Sequence, residues 1–327
     1  MYLYTINSIL LIPMKYYLGV DAGGTKTHTI IANENDEICG EYISGPGNAS
    51  SIGIEAAIDN IFESIIAAKL KAAKTVGEKE LHITASCVGL AGLDSDEDRN
   101  SLTVVLEKLF DKLQLNAPTI VNDIQIGLKS ATENKNAMAI ICGTGSNCFA
   151  QNEEGKTVWV GGLEYLLSDE ASGYYMGYKA LHLAAKSYDG RVEKTTLEDA
   201  IVKELNVPNM RAAKNVVHQF KKKDFAHLTY LIFDAYRQGD WAAKKIVEET
   251  VDEAFLMIKT AADKLTYTKT FDVVYIGGLF ENSNFANLLS DKIKAAFPLA
   301  NIIFHKRAPA WGAVEIAKQN NHSRVSL

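Results

Sequence analysis

Two short glycine-rich segments constrain the fold of this chain more than any other feature. DAGGTKT (21–27) and CGTGS (142–146) are each flanked on both sides by short runs of apolar or β-branched residues. Such a pattern predicts a strand, a tight turn and a second strand. The same strand-turn-strand pattern recurs at a separation of 120 residues, measured from Gly23 to Gly143, which predicts a duplicated half. The four flanking runs are 16–20, 29–32, 137–141 and 147–151.

The rest of the sequence alternates between patterns typical of strands and patterns typical of helices, which predicts an α/β architecture. Further strands are predicted at 83–90, 118–121, 271–276 and 301–304. Helices are predicted at 54–65, 102–113 and 285–297, across most of 169–264, and from 308–314 onward. The segment 45–51 is predicted to be a loop, and Ser95 and Asp98 are predicted to cap the helix at 102–113.

Length and charge narrow the class of partner. At roughly 150 residues per domain, 327 residues predict two domains, and 47% hydrophobic residues suffice to fill both cores. The net charge of -6 argues against nucleic acid, because proteins that bind it concentrate Lys and Arg against the phosphates. A small-molecule ligand is therefore expected, with neither a nucleic acid nor a membrane as partner.

Cysteine usage and the first residues bear on location. The 4 cysteines show no CxxC spacing, which favours a reducing, cytoplasmic compartment over a disulfide framework. Residues 1–13 are interpreted as a ragged leader, since their apolar run is far shorter than the roughly 20 residues that span a bilayer. Translation could start at Met1 or at Met14.

The glycine segments have the composition of anion-binding turns, because glycine lets backbone amides approach a phosphate without a Cβ in the way. The first segment is not a Walker loop, since Thr25 separates its second glycine from Lys26. A plain hairpin turn is the alternative at 21–27. A third glycine pair, Gly277 and Gly278, ends a predicted strand, where an ordinary bend between strand and helix is the alternative.

Taken together, five motifs resemble those of the sugar-kinase, heat-shock-ATPase and actin superfamily. They are DAGGTKT, an aspartate after a strand, GTGSNC, IGGL and PAWGA, in this order. The sequence is most similar to the BadF/BadG/BcrA/BcrD ATPase family, and within it to N-acetylglucosamine kinases, over about residues 14–318. The resemblance implies two ribonuclease-H-like (actin-like ATPase) domains with a cleft between them. The first would span 14–124 and be completed by a helix at 307–320, and the second would span 125–306 with a helical insertion.

The resemblance also implies a site for ATP and Mg²⁺. Asp21 would hold the magnesium of Mg-ATP, and the amides of Gly23 and Gly24 with Thr25 and Lys26 would contact phosphate oxygens. The second turn would grip the β and γ phosphates, and the third glycine pair would pass under the adenosine. The residues of these two segments are Gly143, Thr144, Gly145, Ser146, Gly277 and Gly278.

Three further polar residues are candidates for the sugar side of the reaction. Asp123 follows a predicted strand, and a carboxylate there could accept the proton of an attacking hydroxyl; the alternative is that Asn122 and Asp123 cap the next helix. Asn48 and Asp169 match sugar-binding positions of the family. Asn48 could instead be a turn residue, and Ser168 with Asp169 could instead cap a helix.

One departure from the family pattern bears on the substrate. The kinases of this family usually carry a GGWGH-like stretch, and this sequence reads GGLEY at 161–165. The expected activity is ATP-dependent phosphorylation of N-acetylglucosamine at its 6-hydroxyl, with glucosamine and N-acetylmuramate as alternatives. An iron-sulfur activator of acyl-CoA dehydratases, also found in the family, is a further alternative that would need exposed cysteines. The resemblance makes a homodimer an expectation as well.

Overall fold

The computed structural model of the chain describes residues 14–93, 96–305 and 307–325. The predicted leader at 1–13 and Ser95 lie outside these residues, so the capping pair of Ser95 and Asp98 stays a prediction. Contacts divide the chain into two compact units. Unit 1 comprises the described residues of Met1–Ile126 and Pro309–Leu327, and unit 2 comprises those of Gly127–Ala308.

Unit 1 is built on a five-stranded mixed sheet of order β3-β2-β1-β4-β5. β1 pairs antiparallel with β2, which pairs antiparallel with β3, whereas β1, β4 and β5 are parallel. Its strands are β1 (Tyr16–Ala22), β2 (Thr27–Asn33), β3 (Ile38–Ser44), β4 (Ile83–Leu90) and β5 (Thr119–Asn122). Its helices are α1 (Ala49–Ile52), α2 (Ile54–Val76), α3 (Asp96–Lys112), α4 (Asp123–Ala131, which continues into unit 2) and α12 (Pro309–Val325).

Unit 2 repeats this topology with the order β10-β9-β6-β7-β8. β6 pairs antiparallel with β7, which pairs antiparallel with β8, whereas β6, β9 and β10 are parallel. Its strands are β6 (Ala137–Cys142), β7 (Ser146–Gln151), β8 (Thr157–Gly161), β9 (Phe271–Ile276) and β10 (Ala300–Phe304). Its helices are α5 (Gly173–Tyr188), α6 (Thr196–Glu204), α7 (Met210–Val217), α8 (Lys222–His227), α9 (Thr229–Arg237), α10 (Trp241–Leu265) and α11 (Ser283–Ala296), with a 3-10 turn at Gly278–Glu281.

The matching strand orders confirm the predicted duplication and the α/β fold class. In each sheet the first strand is followed by a glycine turn and two antiparallel strands, and the later strands are parallel to the first. None of the helices in the described ranges is both long enough and apolar enough to cross a bilayer.

Both faces of β1 are covered, which explains why its residues 16–20 form an apolar run. Leu18 and Val20 belong to the same buried cluster as Ile61 and Ile65 of α2. Gly19 lies between them in the strand, so a Cβ on it would point to the opposite face, where it would lie 2.3 Å from the carbonyl oxygen of Ala310 in α12. The closing helix therefore rests directly on the strand that carries the first glycine turn.

Two local predictions were wrong. The segment 45–51 is not wholly a loop, because it contains the start of α1, which Asn48 caps. Ser168 and Asp169 do not cap α5. Its N-cap is Ser172, whose hydroxyl accepts a hydrogen bond from the Tyr175 amide at 3.2 Å.

Candidate active site

The parallel strands of unit 1 end in register at one edge of the sheet. Ala22 pairs with Leu90 across β1 and β4, and Leu90 pairs with Asn122 across β4 and β5. Since β1 and β5 are separated by one strand, their backbones lie roughly 10 Å apart. Asp21 and Asp123 therefore start from the same edge of this sheet, where open α/β sheets place their ligands.

The first glycine turn, residues 23–26, is held at this edge by backbone hydrogen bonds. The Gly23 amide donates to the Lys26 carbonyl at 3.0 Å, and the Gly47 amide donates to the Gly23 carbonyl at 2.9 Å. A Cβ on Gly47 would lie 2.6 Å from the side chains of both Ala22 and Thr27, so only glycine allows this approach. Gly24, Thr25 and Lys26 are exposed.

Asp21 occupies an environment that disfavours its charge. Burial raises the pKa of this carboxyl to about 6, and nearby Lys26 lowers it only in part. A carboxylate whose charge is so poorly compensated is a good partner for an added cation.

Asn122, rather than Asp123, caps α4. The Asn122 side-chain oxygen accepts a hydrogen bond from the Ile124 backbone amide at 3.1 Å. The backbone amide of Asn122 donates to the side-chain oxygen of Gln125 at 3.1 Å. Asp123 is the first helical residue and is partly exposed. The capping role that sequence alone left open for the pair is thus filled by the buried Asn122.

Asn48 lies near the same edge of unit 1. Its side-chain oxygen accepts a hydrogen bond from the Ser50 amide at 2.9 Å, which caps α1. A Cβ on Gly92, in the loop after β4, would lie 3.0 Å from that oxygen. Unit 1 therefore brings Asp21, the first glycine turn and Asn48 toward one edge of its sheet.

In unit 2 the second glycine turn is fixed from three sides. Within the turn the Gly143 amide donates to the Gly145 carbonyl at 3.0 Å, and at the start of α5 the Gly173 amide donates to the Gly143 carbonyl at 2.8 Å. On the neighbouring strand end, Gly277 approaches so closely that a Cβ there would lie 2.5 Å from the Cys142 carbonyl oxygen.

An ion pair forms the third support of this turn. One oxygen of Asp169 accepts a hydrogen bond from the Ser146 amide at 2.7 Å, and the other lies 2.7 Å from the Lys222 ammonium. Burial raises the pKa of Asp169, whereas the Lys222 and Ser146 partners lower it, with a net upward shift. Lys222 was missed from sequence because nothing in its local pattern distinguishes it from Lys221 and Lys223.

A cavity of about 550 Å³ opens beside the second turn within unit 2. Its wall combines part of the second turn and Gly278 with apolar and polar side chains, mainly of α9 and the 3-10 turn. The lining residues are Gly143, Thr144, Gly173, Ala226, Thr229, Tyr230, Phe233, Asp234, Arg237, Gly278, Leu279, Glu281 and Asn282. A concave site of this size, with convergent polar groups, has the dimensions of a small-molecule site.

Comparisons with known proteins identify the family. The family model described as BadF/BadG/BcrA/BcrD ATPase family matches residues 18–317. The chain belongs to the BadF/BadG/BcrA/BcrD ATPase family. The resemblance noted from the five sequence motifs is therefore confirmed over nearly the whole chain.

Proteins that are similar to this chain include named sugar kinases. An N-acetylmuramic acid/N-acetylglucosamine kinase of Clostridium acetobutylicum is 32% identical over 93% of this chain and 99% of its own. An N-acetyl-D-glucosamine kinase of Dictyostelium discoideum is 30% identical over 92% and 97%. A crystal structure from Chromobacterium violaceum, described as an N-acetylglucosamine kinase, matches with a TM-score of 0.72 at 21% identity, covering 93% of this chain and 99% of its own. This last likeness supports the fold.

The adjacent glycines 277 and 278 provide a matched pair for a stability test. We expect Gly277→Ala to lower the melting temperature by about 2 °C or more, because its φ is +108° and the new Cβ would meet backbone atoms. Gly278→Ala should leave it unchanged, since no atom lies within 4 Å of its Cβ position. Thermal unfolding followed by circular dichroism measures both. Equal melting temperatures for the two variants would contradict the contact at Cys142.

Proposed function

We propose that this protein is an ATP-dependent kinase that phosphorylates an amino sugar, with N-acetylglucosamine at its 6-hydroxyl as the first candidate. The observation that carries the proposal is the joint position of the second glycine turn and Gly278 on one cavity of unit 2. The similarity to an N-acetylmuramic acid/N-acetylglucosamine kinase over nearly the full length of both chains supports the sugar class. N-acetylmuramate and glucosamine are the alternative acceptors.

The nucleotide is assigned to unit 2 in this proposal. The turn at 143–146 would bind the β and γ phosphates, and Thr144, which is exposed, faces the cavity. Gly278 would lie against the adenosine, since the protein leaves its Cβ position empty. The reason for a glycine at position 277 differs from the predicted contact with adenosine. Its positive φ and the nearby Cys142 carbonyl already exclude a Cβ there.

Asp21 would hold the magnesium of Mg-ATP, with Gly23, Gly24, Thr25 and Lys26 beside the phosphates. Its poorly compensated charge fits a cation. Among the described residues no three His, Cys, Asp or Glu side chains cluster closely enough for a metal cage. This fits Mg²⁺, which usually takes few protein carboxylates and keeps waters and phosphate oxygens as ligands. When bound, the metal would neutralise charge on the transferring phosphoryl group.

Asp123 would act as the general base toward the sugar hydroxyl. It stands at the edge of unit 1 where β5 ends, and its backbone is fixed because the buried Asn122 caps α4. Phosphoryl transfer needs little covalent chemistry from the protein, so positioning and charge neutralisation would supply most of the rate. Asn48 and Asp169 would bind sugar hydroxyls; a carboxylate has about four acceptor sites, so the internal partners of Asp169 do not saturate it.

The iron-sulfur activator is the less favoured function. All four cysteines are buried, and burial raises the pKa of Cys148 to about 12 and that of Cys142 well above its usual value. Buried thiols that resist ionisation are poor ligands for a cluster shared between subunits. A cytoplasmic location agrees with the four free thiols and stays a prediction, as do the homodimer and the absence of a nucleic-acid partner.

The central experiment is an ADP-release assay with a panel of sugars. We expect N-acetylglucosamine or N-acetylmuramate to stimulate ADP release strongly over glucose, because relatives at 30–32% identity are named for such sugars. Mass spectrometry should detect a sugar monophosphate as product. ATP hydrolysis that no sugar changes would contradict the kinase function, and a visible iron-sulfur spectrum after anaerobic purification would favour the alternative.

Replacing the proposed base separates chemistry from binding. Asp123→Asn should lower kcat at least about a hundredfold, the usual contribution of general-base assistance, while the Kd for Mg-ADP changes little. Asp111→Asn, an exposed carboxyl in α3, serves as the matched control and should retain full activity. Near-normal kcat for Asp123→Asn would remove this residue from the role.

Magnesium dependence should follow the ionisation of Asp21. At limiting Mg²⁺ we expect activity to fall as the pH drops through about 6, because the protonated carboxyl no longer attracts the cation. Raising the Mg²⁺ concentration should move the midpoint to lower pH, since binding favours the ionised form. Asp21→Asn should be weakly active and lack this midpoint. A Mg²⁺ affinity that stays constant from about pH 8 to about pH 5 would contradict the assignment.

A further inference from the structure

Through its ammonium group, Lys222 contacts three residues of the segment that joins β8 to α5 in unit 2. The Nζ atom lies 2.7 Å from Asp169 Oδ2 and 3.4 Å from Glu164 Oε2. It also lies 5.7 Å from the centre of the Tyr165 ring, within range of a cation–π contact. Lys222 is the first residue of α8, in the helical segment far along the chain from the second glycine turn.

This ion pair lies directly against the second glycine turn. A Cβ on Gly145 would be 3.0 Å from the Lys222 ammonium and 3.1 Å from each oxygen of Asp169. Asp169 is also bonded to the turn itself, because its Oδ1 atom accepts a hydrogen bond from the Ser146 backbone amide at 2.7 Å. A Cβ at position 145 would therefore require the ion pair to shift by a few tenths of an ångström.

The carboxylate depends on its partner because it is almost fully enclosed. The side chain of Asp169 is 4% exposed and that of Lys222 is 26% exposed. Burial lowers the pKa of Lys222, but pairing with Asp169 and Glu164 raises it, and the net direction is upward. Without Lys222 the buried Asp169 would face Glu164 and Tyr174 with no cation beside it, and an unpaired buried charge is strongly destabilising.

The pair also decides which amides of the turn can bind an anion. The Gly143 amide donates to the Gly145 carbonyl and the Ser146 amide donates to Asp169. No described residue accepts a hydrogen bond from the amides of Thr144 or Gly145, which lie between them. A phosphate would therefore be bound by these two amides, whose direction depends on where Asp169 holds the end of the turn.

We propose that Lys222 is a positioning residue for the nucleotide, which fixes Asp169 and thereby holds the second glycine turn in its phosphate-binding shape. The inference rests on the proposed function, since it assumes that the turn binds the phosphates of ATP. If Lys222 has this role, the position of α8 affects the affinity for the nucleotide, because Lys222 is the first residue of that helix. Asp169 would then serve the nucleotide side of the reaction in addition to its predicted contact with the sugar.

The test is the Kd for Mg-ADP, measured by calorimetry without sugar on the full chain. Lys222→Met should raise this Kd by about tenfold or more, the scale expected when a charged hydrogen bond is lost. Lys222→Arg should recover most of the affinity, because a guanidinium can pair with the same carboxylate. Lys223→Met, an exposed neighbour on the same helix, is the matched control and should bind as the unaltered protein does.

A double-mutant cycle decides whether Lys222 acts through Asp169. Asp169→Asn should weaken Mg-ADP binding as well, and the double variant Lys222→Met with Asp169→Asn should bind no more weakly than the worse single variant. Multiplied effects would overturn the proposal, because Lys222 would then contact the nucleotide independently of Asp169. Unchanged binding by Lys222→Met would overturn it too.

Two further comparisons keep the outcome decisive. Melting temperatures show whether each variant folds, and Lys222→Gln, which keeps a donor but no charge, replaces Lys222→Met if the latter does not fold. Wild-type-like binding by a folded Lys222→Gln would then count against the proposal. If the unaltered protein itself binds no Mg-ADP, the proposed function fails; if it binds and the Lys222 variants bind equally, only the inference about Lys222 fails.

Discussion

The register of the parallel strands is the constraint on which both candidate half-sites depend. In unit 1 it aligns the ends of β1, β4 and β5, and in unit 2 it aligns the ends of β6 and β9. Loops that are far apart in the chain start from these ends, so hydrogen bonds of the sheet determine which of them meet. Asp21 and Asp123 share an edge in the first unit for this reason, and the second glycine turn meets Gly277 in the other.

Glycine at selected positions allows these loops to approach as closely as the register requires. Gly47 fits against Ala22 and Thr27 beneath the first turn, and Gly277 fits against the Cys142 carbonyl beside the second. In both places a Cβ would meet its neighbours at under 3 Å, which would force the turn away from the sheet. Gly278 differs because the protein leaves its Cβ position open, so its requirement would come from a ligand.

Most of the fold could be predicted from local sequence, because apolar periodicity and glycine turns mark its central strands and long helices. The edge strands β3 and β8 were not predicted as elements, since Glu41 interrupts the apolar pattern of β3 and β8 is only 5 residues long. The motif residues of both turns were found in the same way. The pair of Asp169 with Lys222 could not be found, because the two residues are distant in sequence and only tertiary packing brings the ammonium to the carboxylate.

The two units share a topology but place charge differently around their glycine turns. In unit 1 the carboxylate of Asp21 lies on the strand before the turn, and Lys26 offsets its burial only in part, so its pKa stays near 6. In unit 2 the carboxylate comes from Asp169, after β8, and the Lys222 ammonium lies 2.7 Å from it, although burial still leaves the pKa of Asp169 raised. A poorly compensated carboxylate attracts a cation, whereas a carboxylate paired with an ammonium can hold a loop whose remaining amides bind an anion. Under the proposed function the first turn would lie beside the metal and the second beside the phosphates, and Lys222, through Asp169, would hold the second turn in place.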